Sequence, residues 1–340
     1  MNRKTLTATL AASLFATASV AATPELIAAA KKEGQVVWYT VQTIPQIVQP
    51  LVTAFEKTYG VKVNYVRANS SEVTLRILNE AKAGRSLSDV FDGTGTTPPL
   101  KRENLVMKWL PDETASWPKE LVDPEGYWVA TNFFVNTVGI NTALVPPAQE
   151  PKSWDDLLDS KWKGKMVWGS QTSSSAGPGF VGLTLKARGE KDGMEFLRKL
   201  SGQSIAAMPV AARQVLDQVI AGEYPIGLMI FNHHAVISAQ QGAPVKWLPV
   251  SPATVTLNVA SVARDAPHPN AAKLFLDYMI SAEGQKIFAD NDYLPANPKV
   301  SAKDKSLIPD GVTIKRMAFT PEEIEDNMPA WNKTFREIFR

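Results

Sequence analysis

Apolar positions along this chain switch repeatedly between helical spacing and short strand-like runs. TPELIAAAKKEG (23–34) puts Leu26, Ile27 and Ala30 on one helical stripe and closes at Gly34, a common helix stop. QVVWYT (35–40) follows as a compact apolar strand. PQIVQPLVTAFEKTYG (45–60) returns to helical spacing through Ile47, Leu51, Ala54 and Phe55. VKVNYV (61–66) alternates as a strand, SSEVTLRILNEAKAGR (70–85) predicts a helix from a serine N-cap, and LSDVFDG (87–93) predicts another strand. This β-α-β-α-β order predicts an α/β fold with an open, mixed but largely parallel sheet flanked by helices.

The grammar repeats further on. In SWDDLLDSKWKG (153–164), Ser153 stands three residues before Asp156, a capping-box pattern. KMVWGS (165–170) and YPIGLMIF (224–231) read as strands. GFVGLTLKARG (179–189) and ARQVLDQVIAGE (212–223) read as helices, and PNAAKLFLDYMISAEGQKIFADN (269–291) as a helix pair broken near 281–284. Two long extended stretches, 128–143 and 255–264, can carry the chain between the blocks. The expected architecture is therefore two lobes joined by two extended crossover strands, 23–132 plus 256–300 and 133–255 plus 301–340. Ligands in such sheets bind outside the carboxyl ends of the strands, which directs attention to the loops facing an interlobe cleft.

Composition narrows the setting. MNRKTLTATLAASLFATASVAA (1–22) has Arg3 and Lys4, then a modestly apolar run, then Ala21 and Ala22. That is the pattern of a signal peptide, with cleavage expected after Ala21 or Ala22, and no other segment reads as a membrane span. The expected location is the periplasm, without a membrane anchor. Without cysteine there is no disulfide framework and no thiolate chemistry. Removing Arg3 and Lys4 from a formal charge of +2 leaves the remainder neutral. No basic run exists to collect phosphate backbones, so nucleic acid is not an expected partner.

PLVTAFEKTYGVKV, SDVFDG, PKSWDDLLDSKWKGKMVWG, AGEYPIGLMIFNHH and HPNAAKLFLDYMISAEGQKIFADNDYLPANP together resemble the periplasmic solute-binding proteins of ABC importers. The similarity covers nearly all of 24–300 and is greatest to the ferric-ion-binding branch of the two-hinge, type II class. It implies a monomeric receptor that closes on a small-molecule solute, passes it to a permease and ATPase complex, and needs no cofactor. The family's ferric site uses adjacent tyrosines where this chain has His233 and His234. Its remaining histidine and glutamate ligands fall at the YTVQTIP and VFDGTGT stretches, near Thr40, Gln42 and Thr43, and at Thr94. Phenolate suits Fe(III), whereas neutral imidazole suits softer divalent ions, so the resemblance carries the scaffold without the iron.

Other residues suggest an anion instead. Ser173, Ser174 and Ser175 precede a helix, and Ser70 and Ser71 open another; free amides and the helix dipole make both ends anion cradles. Arg213, in the first turn of a third helix, offers a fork for carboxylate or phosphate. Asp92 reads as a loop-holding residue, and one of Trp38 and Tyr39 is expected to face the cleft, the other the core. The preferred solute is a small organic anion bearing a carboxylate, phosphate or phosphonate, read by the helix N-termini, Arg213 and one cleft-facing imidazole of His233 or His234. A metal ion or metal–anion complex held by His233 and His234 is the alternative. A hydrolase with a histidine base is remote, since no nucleophile elbow, HExxH or phosphate-loop motif is present.

Overall fold

The structure is a computed structural model that describes residues 22–308 and 314–339. Its strands are β1 (Gln35–Thr40), β2 (Lys62–Arg67), β3 (Val90–Gly93), β4 (Val129–Asn141), β5 (Met166–Gly169), β6 (Ala206–Met208), β7 (Ile226–Phe231), β8 (Val245–Leu248), β9 (Ala253–Val262), β10 (Leu294–Pro295) and β11 (Arg316–Phe319). Its α-helices are α1 (Pro24–Glu33), α2 (Gln49–Tyr59), α3 (Ser70–Lys82), α4 (Thr97–Arg102), α5 (Gly177–Arg188), α6 (Glu190–Ser201), α7 (Ala212–Ile220), α8 (Asn232–Gln240), α9 (Pro269–Ile280), α10 (Ala282–Asp290) and α11 (Pro321–Ile338).

The strands form one hydrogen-bonded path, β2-β1-β3-β9-β4-β7-β5-β6, with β8 and β10 on β4 and β11 on β9. Pairing is parallel at its two ends, β2-β1-β3 and β7-β5-β6, and antiparallel around β4 and β9. The sheet is therefore less parallel than the local β-α-β order predicts. The two crossovers pair with each other, and that turns what could have been two sheets into one.

Two separate aromatic cores lie on this path. One joins Trp38, Phe55, Phe275 and Tyr278 edge to face. The other joins Trp154, Trp168, Phe180 and Phe335. Ring pairs at these separations add about 0.5–1.5 kcal/mol each beyond the area they bury.

Local chemistry explains most element ends. Thr23 caps α1 by accepting from the Leu26 amide at 3.2 Å, and Gly34 closes it in the left-handed region at φ 77°. Ser153 and Asp156 bond reciprocally as their spacing predicts, but the turn they cap is a single 3₁₀ turn rather than an α-helix. The cap of α3 is Asn69, not a serine. Asn69 Oδ1 accepts from the Glu72 amide at 3.0 Å, and Glu72 accepts from the Asn69 amide at 3.1 Å. That reciprocal pair leaves Ser70 and Ser71 in the first turn.

The C-terminal helix α11 starts in a capping box between Thr320 and Glu323 and packs on α5. The approach is close enough that a Cβ on Gly182 would lie 2.6 Å from Trp331 ring carbons, and one on Gly177 would lie 2.1 Å from Phe335. An exposed mid-helix glycine gains about 1 kcal/mol on replacement by alanine, whereas overpacking costs about 1–3 kcal/mol. Gly182→Ala is therefore expected to lower the urea unfolding midpoint; a raised midpoint would show that α11 does not press on α5.

Candidate functional site

A cleft of about 950 Å³ separates residues 69–99 from 171–174 and from α11. Ser70, Ser71, Thr94, Ser173 and Ser174 all line it, together with Gly95, Gln171 and Thr172. Five expected site residues, from three stretches separate in sequence, thus share one space. At the α5 side the serines do not cap the helix. The N-cap position is Ala176, without a side-chain bond, and Ser173 Oγ instead meets Ser175 Oγ at 3.0 Å. Gly177 and Gly179 supply the first-turn amides of α5, Pro178 having none; both glycines are buried, and the cleft lining on this side ends at Ser174.

Thr40, Gln42 and Thr43 do not line that cleft. Thr40 is buried, and its Oγ1 accepts from the Gln42 amide at 3.0 Å. Gln42 Nε2 donates to Asn132 Oδ1 at 2.7 Å, and Thr43 Oγ1 meets Tyr293 Oη at 3.0 Å. Asp92 holds the turn after β1, accepting from Trp38 Nε1 at 2.7 Å and the Val41 amide at 3.0 Å. Complete burial pushes its carboxyl up to about 6 against those donors. Trp38 and Tyr39 are both buried, so the expectation that one faces the cleft fails. A strand flanked by parallel neighbours is covered on both faces, and the alternation rule for half-exposed strands does not reach it.

The histidine pair opens α8, in its first turn rather than on a strand. His233 is 1% exposed, packed against Phe134, Phe231 and Tyr293 at centroid separations of 5.4–5.8 Å, and 4.3 Å from the His234 ring. Neither ring nitrogen of His233 has a partner, nor does Nδ1 of His234. Arg213 lies exposed on α7, its guanidinium bonded to Asp217 and, at 3.1 Å, to Ser238 Oγ. The structure thus keeps Arg213 off the cleft lining: its fork is taken by Asp217, four residues on along α7, and by Ser238 of α8, which sequence spacing could not connect to it. His268, at the start of α9, is tied to Asp89 through its amide and ring.

Residues 89–319 match the family model described as bacterial extracellular solute-binding protein. The chain belongs to that family. Relatives of this solute-binding protein differ in the cargo their names record. The Fe(3+)-binding periplasmic protein of Serratia marcescens is 24% identical over 276 residues, covering 78% of this chain and 79% of that one. A putative 2-aminoethylphosphonate-binding periplasmic protein of Salmonella typhimurium is 22% identical over 287 residues, covering 80% and 78%. Among solved structures, AfuA of Actinobacillus pleuropneumoniae with bound fructose-6-phosphate superposes with a TM-score of 0.71 at 20% identity, over 89% of this chain and 99% of that one. The fold is that of the type II periplasmic binding proteins.

Within this solute-binding protein, electrostatics decide what the histidines can do. Burial and the neighbouring His234 hold His233 well below the usual imidazole range. Burial, then the Arg213 charge, brings His234 down to about 4. Both rings are neutral at physiological pH, each offering one donor and one acceptor and no charge. Among the described residues no three His, Asp or Glu side chains gather as a metal cage.

An unpartnered buried polar group costs about 1–3 kcal/mol, and phenylalanine has nearly the shape of histidine. His233→Phe is expected to raise the stability of the solute-free protein by that amount. The folded His233 has a depressed pKa, so wild-type stability is full above the unfolded value of 6.5 and falls as pH drops below it. The margin in favour of the variant should then widen between about pH 7.5 and about pH 5.5 in urea unfolding. Equal midpoints at both pH values would mean that the ring has found partners.

Proposed function

We propose that this chain is the periplasmic receptor of an ABC importer, closing residues 23–132 plus 256–300 against 133–255 plus 301–340 around a small organic anion. The cargo bears a carboxylate, phosphate or phosphonate, and a permease and ATPase complex receives it. The export leader this requires, 1–22, lies almost wholly outside the described residues. No helix among the described residues is long and apolar enough to cross a membrane.

One observation carries the reading: the N-terminal turn of α3 and the uncapped approach to α5 open onto the same cleft from opposite sides. Amides and hydroxyls of Ser70, Ser71, Thr94, Ser173 and Ser174 would meet the negative charge. Glu72 and Glu325 also line the cleft, Glu72 accepting from the Asn69 amide and Glu325 paired with Arg102, while no lysine or arginine lines it; an anion would therefore be held by hydrogen bonds and helix dipoles rather than by a salt bridge. Thr40, Gln42, Thr43 and Ser175 support the loops around it. Arg213 acts through its charge on His234. The separation of the two aromatic cores supports the division into lobes.

The pair of unpartnered rings, 4.3 Å apart, favours a second reading in which His233 and His234 hold a divalent metal completed by its own anion. A hydrolase reading needs a hydroxyl on an imidazole; here Ser173 is bonded to Ser175 instead. Thermal melting against organic phosphates, phosphonates and carboxylates separates the readings. Binding at a hundred times the dissociation constant adds about 2.7 kcal/mol, and a chelator should leave the melting temperature unchanged. Ser70→Ala with Ser173→Ala should weaken the anion by about 1 kcal/mol per lost bond. A melting temperature that a chelator lowers and a divalent metal restores would favour the metal cargo.

A further inference from the structure

The cleft is not polar throughout. Leu75 and Leu78 continue the face of α3 that Ser71 begins, and Ile324 and Met328, four residues apart, form one face of α11. All four line the same space as the serines, with Pro99 and Pro329 among them. Leu75 is 59% exposed, more than any other large apolar side chain among the described residues. Helix α11 is held across the space by two bonds to the far side. Trp128 Nε1 donates to Glu322 Oε1 at 2.9 Å, and Arg102 pairs with Glu325. The volume of about 950 Å³ is on the scale that encloses a drug-sized organic molecule, well beyond a single oxyanion.

The geometry points to an amphiphilic cargo: an organic anion whose apolar tail lies in a slot between α3 and α11, with Leu75, Leu78, Ile324 and Met328 as specificity-determining residues. This rests on the anion-receptor reading above and adds the class of the tail. A leucine left this exposed gains about 20–33 cal/mol for each Å² it buries against a tail. A wholly hydrophilic solute of the same size would leave that gain unused and lose hydration along both helices. The same slot makes α11, a segment after the second crossover, part of the solute site.

The test uses the mature protein and alkylphosphonates and alkanoates of increasing chain length, with ribose 5-phosphate as a polar anion of comparable size. Dissociation constants come from calorimetry. Burial of one methylene is worth about 0.8 kcal/mol, so affinity should rise about fourfold per added carbon until the slot is full. Leu75→Ser, on an exposed position that folding does not depend on, should flatten this dependence and leave the shortest homologue within about twofold of wild type. Met328→Ser should do the same from the other wall. Affinity independent of chain length in the wild type, or ribose 5-phosphate binding while the alkyl series does not, overturns the slot and leaves the anion receptor standing. If no anion of any kind binds, both fall.

Discussion

Antiparallel pairing of residues 129–136 with 254–260 is the constraint on which this structure depends. Among the described residues these two strands link the β2-β1-β3 end of the sheet to the β7-β5-β6 end, and their mutual ladder keeps both cores on one sheet. The strands are also unusual inside. Thr131, Asn132, Asn136, Thr254, Thr256 and Asn258 are all buried, and several of their polar atoms have no protein partner. Such atoms are costly in a static core. Where two crossover strands join the ends of the sheet, such polar groups differ from apolar packing in that they can exchange hydrogen-bond partners without a packed surface being broken and remade. Gln285 shows the contrast on the adjoining helix: its amide donates to the Thr131 and Met279 carbonyls and accepts from the Ala296 and Asn297 amides, so that end of the joint is fixed.

Periodicity exposed most of the scaffold before any coordinates. The two crossovers, the buried strand before the histidines and the helix pair broken at Ser281 are all local patterns, and each forms near where the spacing puts it. What failed was set by neighbours distant in sequence. Alternation assigned one of Trp38 and Tyr39 to the cleft because nothing in six residues reveals that parallel strands flank them on both sides. A serine cap was expected on α3 because serine is a good cap, but Asn69 wins through its exchange with Glu72, a pairing that the sequence did contain. For Arg213 the helical partner Asp217 was visible at spacing four, whereas Ser238 was not. The part of α11 in the cleft was illegible altogether, since its place depends on how Gly177 and Gly182 admit Phe335 and Trp331.

The same division separates scaffold from cargo. SWDDLLDSKWKGK and SAEGQKIF, the words that most strongly resemble the family, supply a capped turn and the Ser281 and Gln285 bonds, and neither lies in the cleft. Relatives whose names record Fe(3+) and 2-aminoethylphosphonate can therefore be equally similar to this chain.

Charge then limits what the cleft can hold. Fe(III) asks for anionic oxygen ligands, and none of Thr40, Gln42, Thr43, Thr94, His233 or His234 supplies one. Histidines in their place could in principle have turned the site cationic and captured anions by charge. Burial removes that option: with His233 held well below its usual range and His234 near 4, protonation would need an acidity far from neutral. The Arg213 charge beside His234 drives it further in the same direction. In the proposed receptor, negative charge on a cargo would be met by backbone amides and hydroxyls such as those of Ser70, Ser71, Ser173 and Ser174.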